Sequence, residues 1–186
     1  MAIDSRNSLL TLSDLRAYLT PGSTSTGNDS RFEDIINAVS HLFNTETGRL
    51  LKSRAYSTST SSLEGPEYHD GDGGNVLYTR QFPIVGTPSI VVDPNRAYST
   101  DLAVSSTDII VYRNEGKIVL DDDSFDSGEQ SVKLSYTAGY TVSSSSTSST
   151  AGTLPADLNY AAKQMARCLW NQETRNRVGV RNESAE

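Results

Sequence analysis

The stretch that most constrains the fold of this chain runs from Phe32 to Leu51. Asp29 or Ser30 can cap the start of a helix here, and Gly48 offers the left-handed residue that commonly ends one. A helix with one wide apolar face is stable only when other elements cover it, so we expect the rest of the chain to do so. Its large apolar residues recur at the spacing of one helical face, namely Phe32, Ile35, Ile36, Val39, Leu42 and Phe43.

Composition limits the classes of function. The 186 residues suffice for one domain with a core and an insertion, and the net charge of −7 disfavours nucleic-acid binding through a basic face. Cys168 is the only cysteine, which excludes an intrachain disulfide and a multi-cysteine zinc site. No apolar run approaches the roughly 18 residues that span a membrane, and the N-terminus lacks the form of a signal peptide. We therefore expect a protein without a membrane association, used in a cytoplasm or in a particle assembled there.

Helices are predicted at both ends of the chain. Thr11 and Asp14 have the spacing of a capping box, which predicts a short helix that Pro21 and Gly22 end. Together with the long helix it forms an antiparallel pair in this prediction. Leu154–Asp157 opens a final helix. Its predicted buried stripe is Leu158, Ala161, Ala162, Met165 and Leu169, and the small alanines would let it pack closely.

The middle of the chain predicts strands. Residues 113–116 separate two apolar runs and predict a hairpin, and residues 70–74 predict a tight turn or hairpin tip. Because the runs follow one another closely, we expect an antiparallel meander of four or five strands. The predicted strands are Val76–Thr79, Ser89–Val92, Asp108–Tyr112, Lys117–Leu120 and Val132–Tyr136.

The predicted fold class is α+β: a small helical bundle, made of two N-terminal helices and one C-terminal helix, with an inserted antiparallel β wing. Two tracts rich in Ser and Thr, at 57–62 and 143–150, are interpreted as loops. The predicted divisions are a flexible N-terminal arm at 1–10, a helical hairpin at 11–52, the β wing at 53–140, a Ser/Thr-rich loop at 141–153, the C-terminal helix at 154–174 and a mobile basic tail at 175–186.

Catalytic motifs are missing from the sequence. Neither His41 nor His69 stands in a nucleophile, zinc or phosphate-loop pattern, and we expect no enzyme and no cofactor. Residues 70–74 lack the ligands of a calcium loop, so a turn is favoured there. An acidic segment is interpreted as a solvated turn that would act as a field of negative charge if it faced a channel or a partner; it contains Asp121, Asp122, Asp123 and Asp126.

Five segments occur in a characteristic order. Leu10–Leu19 reads Leu-Thr-Leu-Ser-Asp-Leu-Arg-Ala-Tyr-Leu, the long helix ends in Glu46-Thr-Gly-Arg-Leu50, and Phe82-Pro-Ile84 precedes a strand. Tyr136-Thr-Ala-Gly-Tyr140 is followed, after a gap, by Leu154-Pro-Ala-Asp-Leu158 and a helix that reaches Trp170. This order resembles that of the head–tail connector (adaptor, head-completion) proteins of tailed bacteriophages, over most of residues 10–175. Glu46 departs from the pattern, because the family usually has a phenolic residue there.

The resemblance implies a structural protein of the virion at the head–tail interface, assembled in the cytoplasm of a bacterial host. Its partners would be the portal protein, a stopper or tail-completion protein, and further copies of itself in a ring, generally a dodecamer. DNA would pass through the channel of that ring without specific binding. The family uses its C-terminal end against the portal, which makes Trp170, Arg175, Arg177 and Arg181 candidates for that interface. Gly48 and Arg49 are predicted to close the end of the long helix.

Two alternatives come from other classes of protein. A β-rich module of a virion that binds carbohydrate or peptide would use the tyrosines of the wing, although tyrosines are also common on strands and at interfaces. A metal-dependent hydrolase would use the acidic clusters. Binding of an isolated wing to glycans, or heat released on titration with divalent cations, would favour one of these over the connector.

Overall fold

The computed structural model describes residues 2–59, 62, 64–121, 123–142 and 153–182, with side chains described as far as residue 175. The chain divides into two compact units, one formed by Met1–Lys52 and Thr141–Glu186 and the other by Ser53–Tyr140. The first unit holds the α-helices and the second holds antiparallel sheets, so the α+β fold class is confirmed. The tract at 143–150 lies outside the described residues.

Two helices open the helical unit, α1 (Leu12–Leu19) and α2 (Asp29–Thr47). The Thr11 side chain accepts the backbone N–H of Asp14 at 3.1 Å, as the capping spacing predicts. A cap at Asp29 or Ser30 is wrong, because the helix already includes both residues and the Asp29 carboxylate pairs with Arg16 at 2.5 Å. The ion pair therefore joins α1 to the start of α2.

The third helix, α3 (Ala156–Asn182), is longer than the sequence analysis predicts. Residues 175–182, assigned there to a mobile tail, continue the helix. The reason is that nothing between Gln172 and Asn182 stops a helix strongly: there is no proline, and one glycine costs only about 1 kcal/mol.

The N-terminal segment is not a free arm. Leu9 and Leu10 are buried, and the Leu9 N–H donates to the Ser40 hydroxyl at 3.0 Å. Nearer the terminus, the Asp4 N–H donates to the Asn37 side chain at 2.8 Å. The prediction of a flexible arm at 1–10 is wrong because polar side chains of α2 hold a segment that has no period of its own.

The core of the helical unit is built mainly on the apolar face of α2. Leu42, placed on that face by its spacing, is 36% exposed and lies at its margin. In α3, Ala162 is fully buried as predicted and so is Ala166, whereas Ala161, which was also predicted to be buried, is exposed. The buried members of this core are Leu10, Leu15, Phe32, Ile35, Ile36, Val39, Ala162 and Ala166.

Seven strands are described in the β unit, in two antiparallel sheets. The first sheet is organised on one long strand that pairs with three others, and the second is a three-stranded sheet in the order β3-β6-β5. The strands are β1 (Arg54–Tyr56), β2 (Glu67–Gly71), β3 (Val76–Tyr78), β4 (Ile84–Val92), β5 (Ile109–Tyr112), β6 (Lys117–Leu120) and β7 (Gly128–Ala138).

The predicted meander is wrong except for one hairpin. Strands β5 and β6 pair through the turn at residues 113–116, as predicted. Elsewhere, β7 is the common partner: its residues 132–138 pair with β4. Residues 136–138 of β7 also pair with β1, and residues 128–134 pair with β2. The overlap of these ranges requires β4 to occupy one edge of β7 and the two short strands to share the other. Non-local pairing therefore replaces the neighbour-to-neighbour order, and residues 70–74 do not form a hairpin tip.

Candidate functional site

The C-terminal end of α3 carries the candidate docking residues. The ring of Trp170 lies 5.0 Å from the ring of Phe32, and Trp170 is half-buried against the helical core. Arg175 is exposed on the same helix. Arg177 and Arg181 belong to α3, but their side chains lie outside the described residues. The structure thus assigns Trp170 a packing role and leaves Arg175 open to a partner.

A shallow recess lies beside Trp170, between α2 and α3, with a volume of about 410 Å³. Its floor is apolar, and carboxylates stand at its margin. Such a recess can receive an apolar side chain flanked by a basic one. The lining residues are Asp34, Ile35, Ala38, Leu169, Gln172 and Glu173.

The acidic segment after β6 is held as a turn. The Asp121 N–H donates to the Asp108 carbonyl at 2.9 Å, and the Asp123 carboxylate accepts the Ser124 N–H at 2.8 Å. Both acids line an open recess of about 720 Å³, whereas Asp126 is not among its lining residues. Asp122 lies outside the described residues. In the part of the chain that is described, no three His, Cys, Asp or Glu side chains come together as metal ligands.

The predicted helix end at Gly48 and Arg49 is confirmed in its backbone. Gly48 has φ 63° and its N–H reaches the Thr45 carbonyl at 3.3 Å, while the Arg49 N–H reaches the Asn44 carbonyl at 3.2 Å. These two bonds form a Schellman motif, in which only a residue tolerant of positive φ fits without strain. A carboxylate or carbonyl partner for the Arg49 guanidinium stays a prediction.

A buried polar network in the β unit was missed by the sequence analysis. Glu67 on β2 accepts a hydrogen bond from the Tyr136 hydroxyl on β7. Its other oxygen lies 2.9 Å from His69 Nε2 and accepts the Arg80 N–H at 3.2 Å. The Tyr136 hydroxyl in turn accepts the Gln81 N–H at 3.2 Å. The network ties β2, β7 and the segment before β4 together around one carboxylate.

These contacts shift the ionisation of the network. Burial by itself raises the pKa of Glu67, but the hydrogen bonds from His69, Tyr136 and Arg80 outweigh it, so this pKa lies below its ordinary value. Burial and the Glu67 carboxylate raise the pKa of Tyr136. Glu67 is therefore the charged member and Tyr136 the donor. The only sign of this network in the sequence was Glu67 itself, in a segment without a periodic apolar pattern.

A second tyrosine, Tyr56, packs its ring against the network, but its hydroxyl is not part of the hydrogen-bonded group. The ring of Tyr56 stacks on that of Tyr136 at 5.0 Å and 18°, and the Tyr56 hydroxyl is buried with no hydrogen-bond partner among the described residues. Burial raises the pKa of Tyr56 to about 12. Tyr56, Glu67 and Arg80 help to line a polar cleft of about 420 Å³.

Asp93 organises a loop that the sequence analysis did not single out. Its carboxylate accepts the N–H groups of Asn95, Ala97 and Tyr98 at 2.8 to 2.9 Å. Arg96 and Tyr98 have positive φ, at 61° and 50°, which these bonds hold in place. Burial raises the pKa of Asp93, but the three bonds outweigh it and the pKa is lowered. The Tyr98 ring lies against Tyr68, at 5.2 Å.

The tyrosines predicted to serve a binding module differ in exposure, and two of them, Tyr98 and Tyr140, are half-buried. Tyr56 and Tyr136 are buried, whereas Tyr78 and Tyr112 are exposed on the three-stranded sheet. The structure does not gather them into one aromatic platform.

None of the helices in the described ranges is long and apolar enough to cross a membrane.

No family model matches this sequence, and no curated protein matches it. Solved structures do match its fold. One is the neck of the empty GTA (gene transfer agent) particle computed with C6 symmetry, with a TM-score of 0.57, 17% identity, and coverage of 88% of this chain and 78% of that chain. Another is the neck of the native GTA particle computed with C12 symmetry, with a TM-score of 0.57, 15% identity, and coverage of 88% and 77%. At these identities the likeness shows a shared fold.

Proposed function

We propose that this chain is a structural subunit of the neck of a phage-like virion, and that it serves there as the adaptor ring between portal and tail. The observation that carries the proposal is the fold likeness, over 88% of the chain, to neck chains of GTA particles. The order of sequence motifs between residues 10 and 175 points to the same class of protein independently of that likeness.

The physical character of the chain supports a non-enzymatic, ring-forming role. The groups of its buried polar network bond to one another and to backbone N–H groups, which suits a structural role in the β unit. The net charge of −7 suits the wall of a DNA conduit, because lysine-rich walls would retain phosphates. The structural neighbours come from neck assemblies computed with C6 and C12 symmetry, and such symmetry is consistent with assembly as a ring. Partners, in this proposal, are the portal, a stopper or tail-completion protein, and copies of the chain itself.

The first test interrupts the gene in the phage that encodes it. We expect heads filled with DNA and free finished tails, seen side by side by electron microscopy of the lysate. Complementation with the intact gene restores joined particles and serves as the control. Normal infectious particles from the interrupted gene would overturn the proposal.

The end of α3 is proposed to engage the portal. Truncation after Thr174 removes Arg177 and Arg181 together with Arg175, and we expect at least about a tenfold loss of binding to the cognate portal, since arginines are frequent hot spots of interfaces. Arg175→Ala should weaken binding in the same direction. Arg80→Ala removes an equal charge from the β unit and serves as the matched control. Unchanged portal binding by the truncated chain would refute this placement.

A further inference from the structure

The three-stranded sheet presents an apolar face that no described residue covers. Alternate residues turn inward to the β-unit core, among them Leu77, Ile109 and Ile118. The strand register places the outward residues in two cross-strand rows. One row is Val76, Val119 and Ile110, and the other is Tyr78, Lys117 and Tyr112. We call these six residues the sheet face.

Four members of the sheet face are well exposed: Val76 by 37%, Ile110 by 43%, Tyr112 by 46% and Tyr78 by 62%. Single exposed apolar residues need no explanation, but a contiguous group on a rigid sheet marks an interaction surface. Lys117 Nζ lies 4.9 Å from the centroid of the Tyr112 ring, so the one cation of the face is held against an aromatic surface. The face is therefore preformed and mostly apolar.

The charge at its border is negative on one side. Ile110 and Val119 also line the open recess that contains Asp121 and Asp123. The apolar row thus passes directly into a pair of exposed carboxylates. A partner that matches this border presents an arginine or lysine beside small or aromatic side chains, and carries no carboxylate of its own at the contact.

The outer face of α3 has that character. Between Asp157 and Glu173 the helix contains no acidic residue, in a chain that has 23 of them. Its exposed side chains recur at helical spacing, and the most bulky of them, Tyr160, is 59% exposed. These residues, which we call the helix face, are Tyr160, Gln164, Arg167, Cys168 and Asn171.

We propose that the sheet face of one copy packs against the helix face of the next copy, with Arg167 directed to the carboxylates of Asp121 and Asp123. The proposal rests on the proposed ring assembly and names the surfaces that form it. Two different surfaces of the same chain make a heterologous contact, and such contacts generate closed rings when the rotation between copies closes. The acidic segment then faces a neighbouring subunit.

The single cysteine gives a direct test. Cys168 is exposed on the helix face, so a cysteine placed at Val76, Ile110 or Val119 can be joined to the Cys168 of the next copy by oxidation or by a short bis-maleimide. Each copy carries both thiols. For at least one of the three variants we therefore expect a ladder of linked dimers, trimers and larger multimers on a non-reducing gel of assembled particles.

Two controls make the result specific. Adding Cys168→Ser to the linking variant should abolish the ladder, and Glu129→Cys, an exposed position on β7, should give none in the presence of Cys168. Linked dimers that stop at two and survive Cys168→Ser would mean that two sheet faces meet about a two-fold axis, which overturns the proposal. Particles that contain all three variants without any ladder would also overturn it, while leaving the neck function intact.

A charged substitution provides a second readout. Ile110→Lys changes an exposed side chain, so the variant should fold and melt like the parent, yet enter particles at least about tenfold less well because it puts a second cation beside Arg167 of the next copy. Glu129→Lys is the control at a position outside both faces. Undiminished incorporation of folded Ile110→Lys would count against the sheet face as a subunit interface.

Discussion

At the scale of single residues, the β unit depends on one ionised carboxylate whose hydrogen bonds come from three directions. Glu67 bonds with His69 on its own strand, with Tyr136 on β7 and with the backbone of Arg80. A buried charge of this kind is tolerated only because its partners are in place. The neighbouring Tyr56 hydroxyl is buried as well, but no described residue bonds to it. The two tyrosines therefore respond differently to loss of a hydroxyl.

We predict opposite outcomes for two conservative substitutions. Tyr136→Phe removes a donor from Glu67 and should lower the free energy of unfolding by about 1.5–3 kcal/mol, the usual contribution of a hydrogen bond to a charged group. Tyr56→Phe removes a hydroxyl to which no described residue bonds, so it should be neutral or slightly stabilising. Each variant is the control for the other, and urea unfolding measures both. Equal losses would contradict the bonding described here.

The ionisation of Glu67 predicts how stability depends on pH. Its pKa is lower in the folded state than its ordinary value of 4.5, so the folded state binds the proton less readily than the unfolded state. The stabilisation is complete above pH 4.5 and is lost as pH falls through the folded pKa. Glu67→Gln should flatten this acid branch relative to the parent, as followed by unfolding at a series of pH values. An identical acid branch in both proteins would show that Glu67 is not responsible.

At alkaline pH, the free energy of unfolding should fall as pH rises, which is opposite to its dependence on the acid side. The pKa of Tyr56 is raised to about 12, so the unfolded chain releases this proton near pH 10 while the folded chain keeps it. The free energy of unfolding should fall by about 1.4 kcal/mol per pH unit from this group between pH 10 and 12. Tyr56→Phe should remove that part of the slope, and a slope that is unaffected by the substitution would argue against burial of the hydroxyl.

At the scale of elements, helix ends are fixed by local chemistry and strand pairing is not. The Thr11 cap and the Gly48 terminus follow from residues within a few positions of each helix end. By contrast, β7 receives β2 from about 60 residues earlier, with His69 opposite Val132. The end of β2 requires a glycine, because a Cβ at Gly71 would come within 1.8 Å of the Asp126 carbonyl oxygen.

Gly48→Ala tests the helix end. No atom would lie within 4 Å of the new Cβ, so the cost arises from the left-handed backbone alone and should be about 1–2 kcal/mol. Gly65→Ala adds a Cβ in equally open space without a positive φ, and should leave the melting temperature unchanged. Differential scanning calorimetry compares the two. Similar melting temperatures would mean that the Schellman motif contributes little.

At the scale of the whole molecule, each unit holds its own core. The β unit begins and ends at neighbouring points, because the Ser53 N–H donates to the Tyr140 carbonyl at 2.9 Å. The helical core combines residues from both sides of this insertion, from Leu10 to Val39 and from Ala162 to Ala166. A neck subunit can thus combine a helical unit that meets the portal with a β unit whose sheet face meets the next copy, in the proposed assembly.

We predict that a fragment comprising residues 53–140 folds alone. All members of its core, from Tyr56 to Ala138, lie inside this range, and its ends are already joined by a hydrogen bond. It should give a β-type circular dichroism spectrum and a cooperative urea transition. A fragment that ends at residue 127 lacks β7, to which three other strands pair, and should be unfolded. A non-cooperative transition in the longer fragment would show that the β unit depends on the helices.

The sequence by itself determined what depends on neighbours along the chain. The α+β class, the apolar face of α2, the Gly48 terminus and the β5–β6 hairpin all follow from periodicity and turn chemistry over a few residues. The tertiary structure alone decided what depends on distant residues: the hold of α2 on Leu9, the central place of β7, and the network around Glu67. It also decided that Asp121 borders an apolar sheet face. The physical reason is that burial, hydrogen-bond partners and surface patches arise from contacts between segments far apart in sequence, which no local pattern encodes.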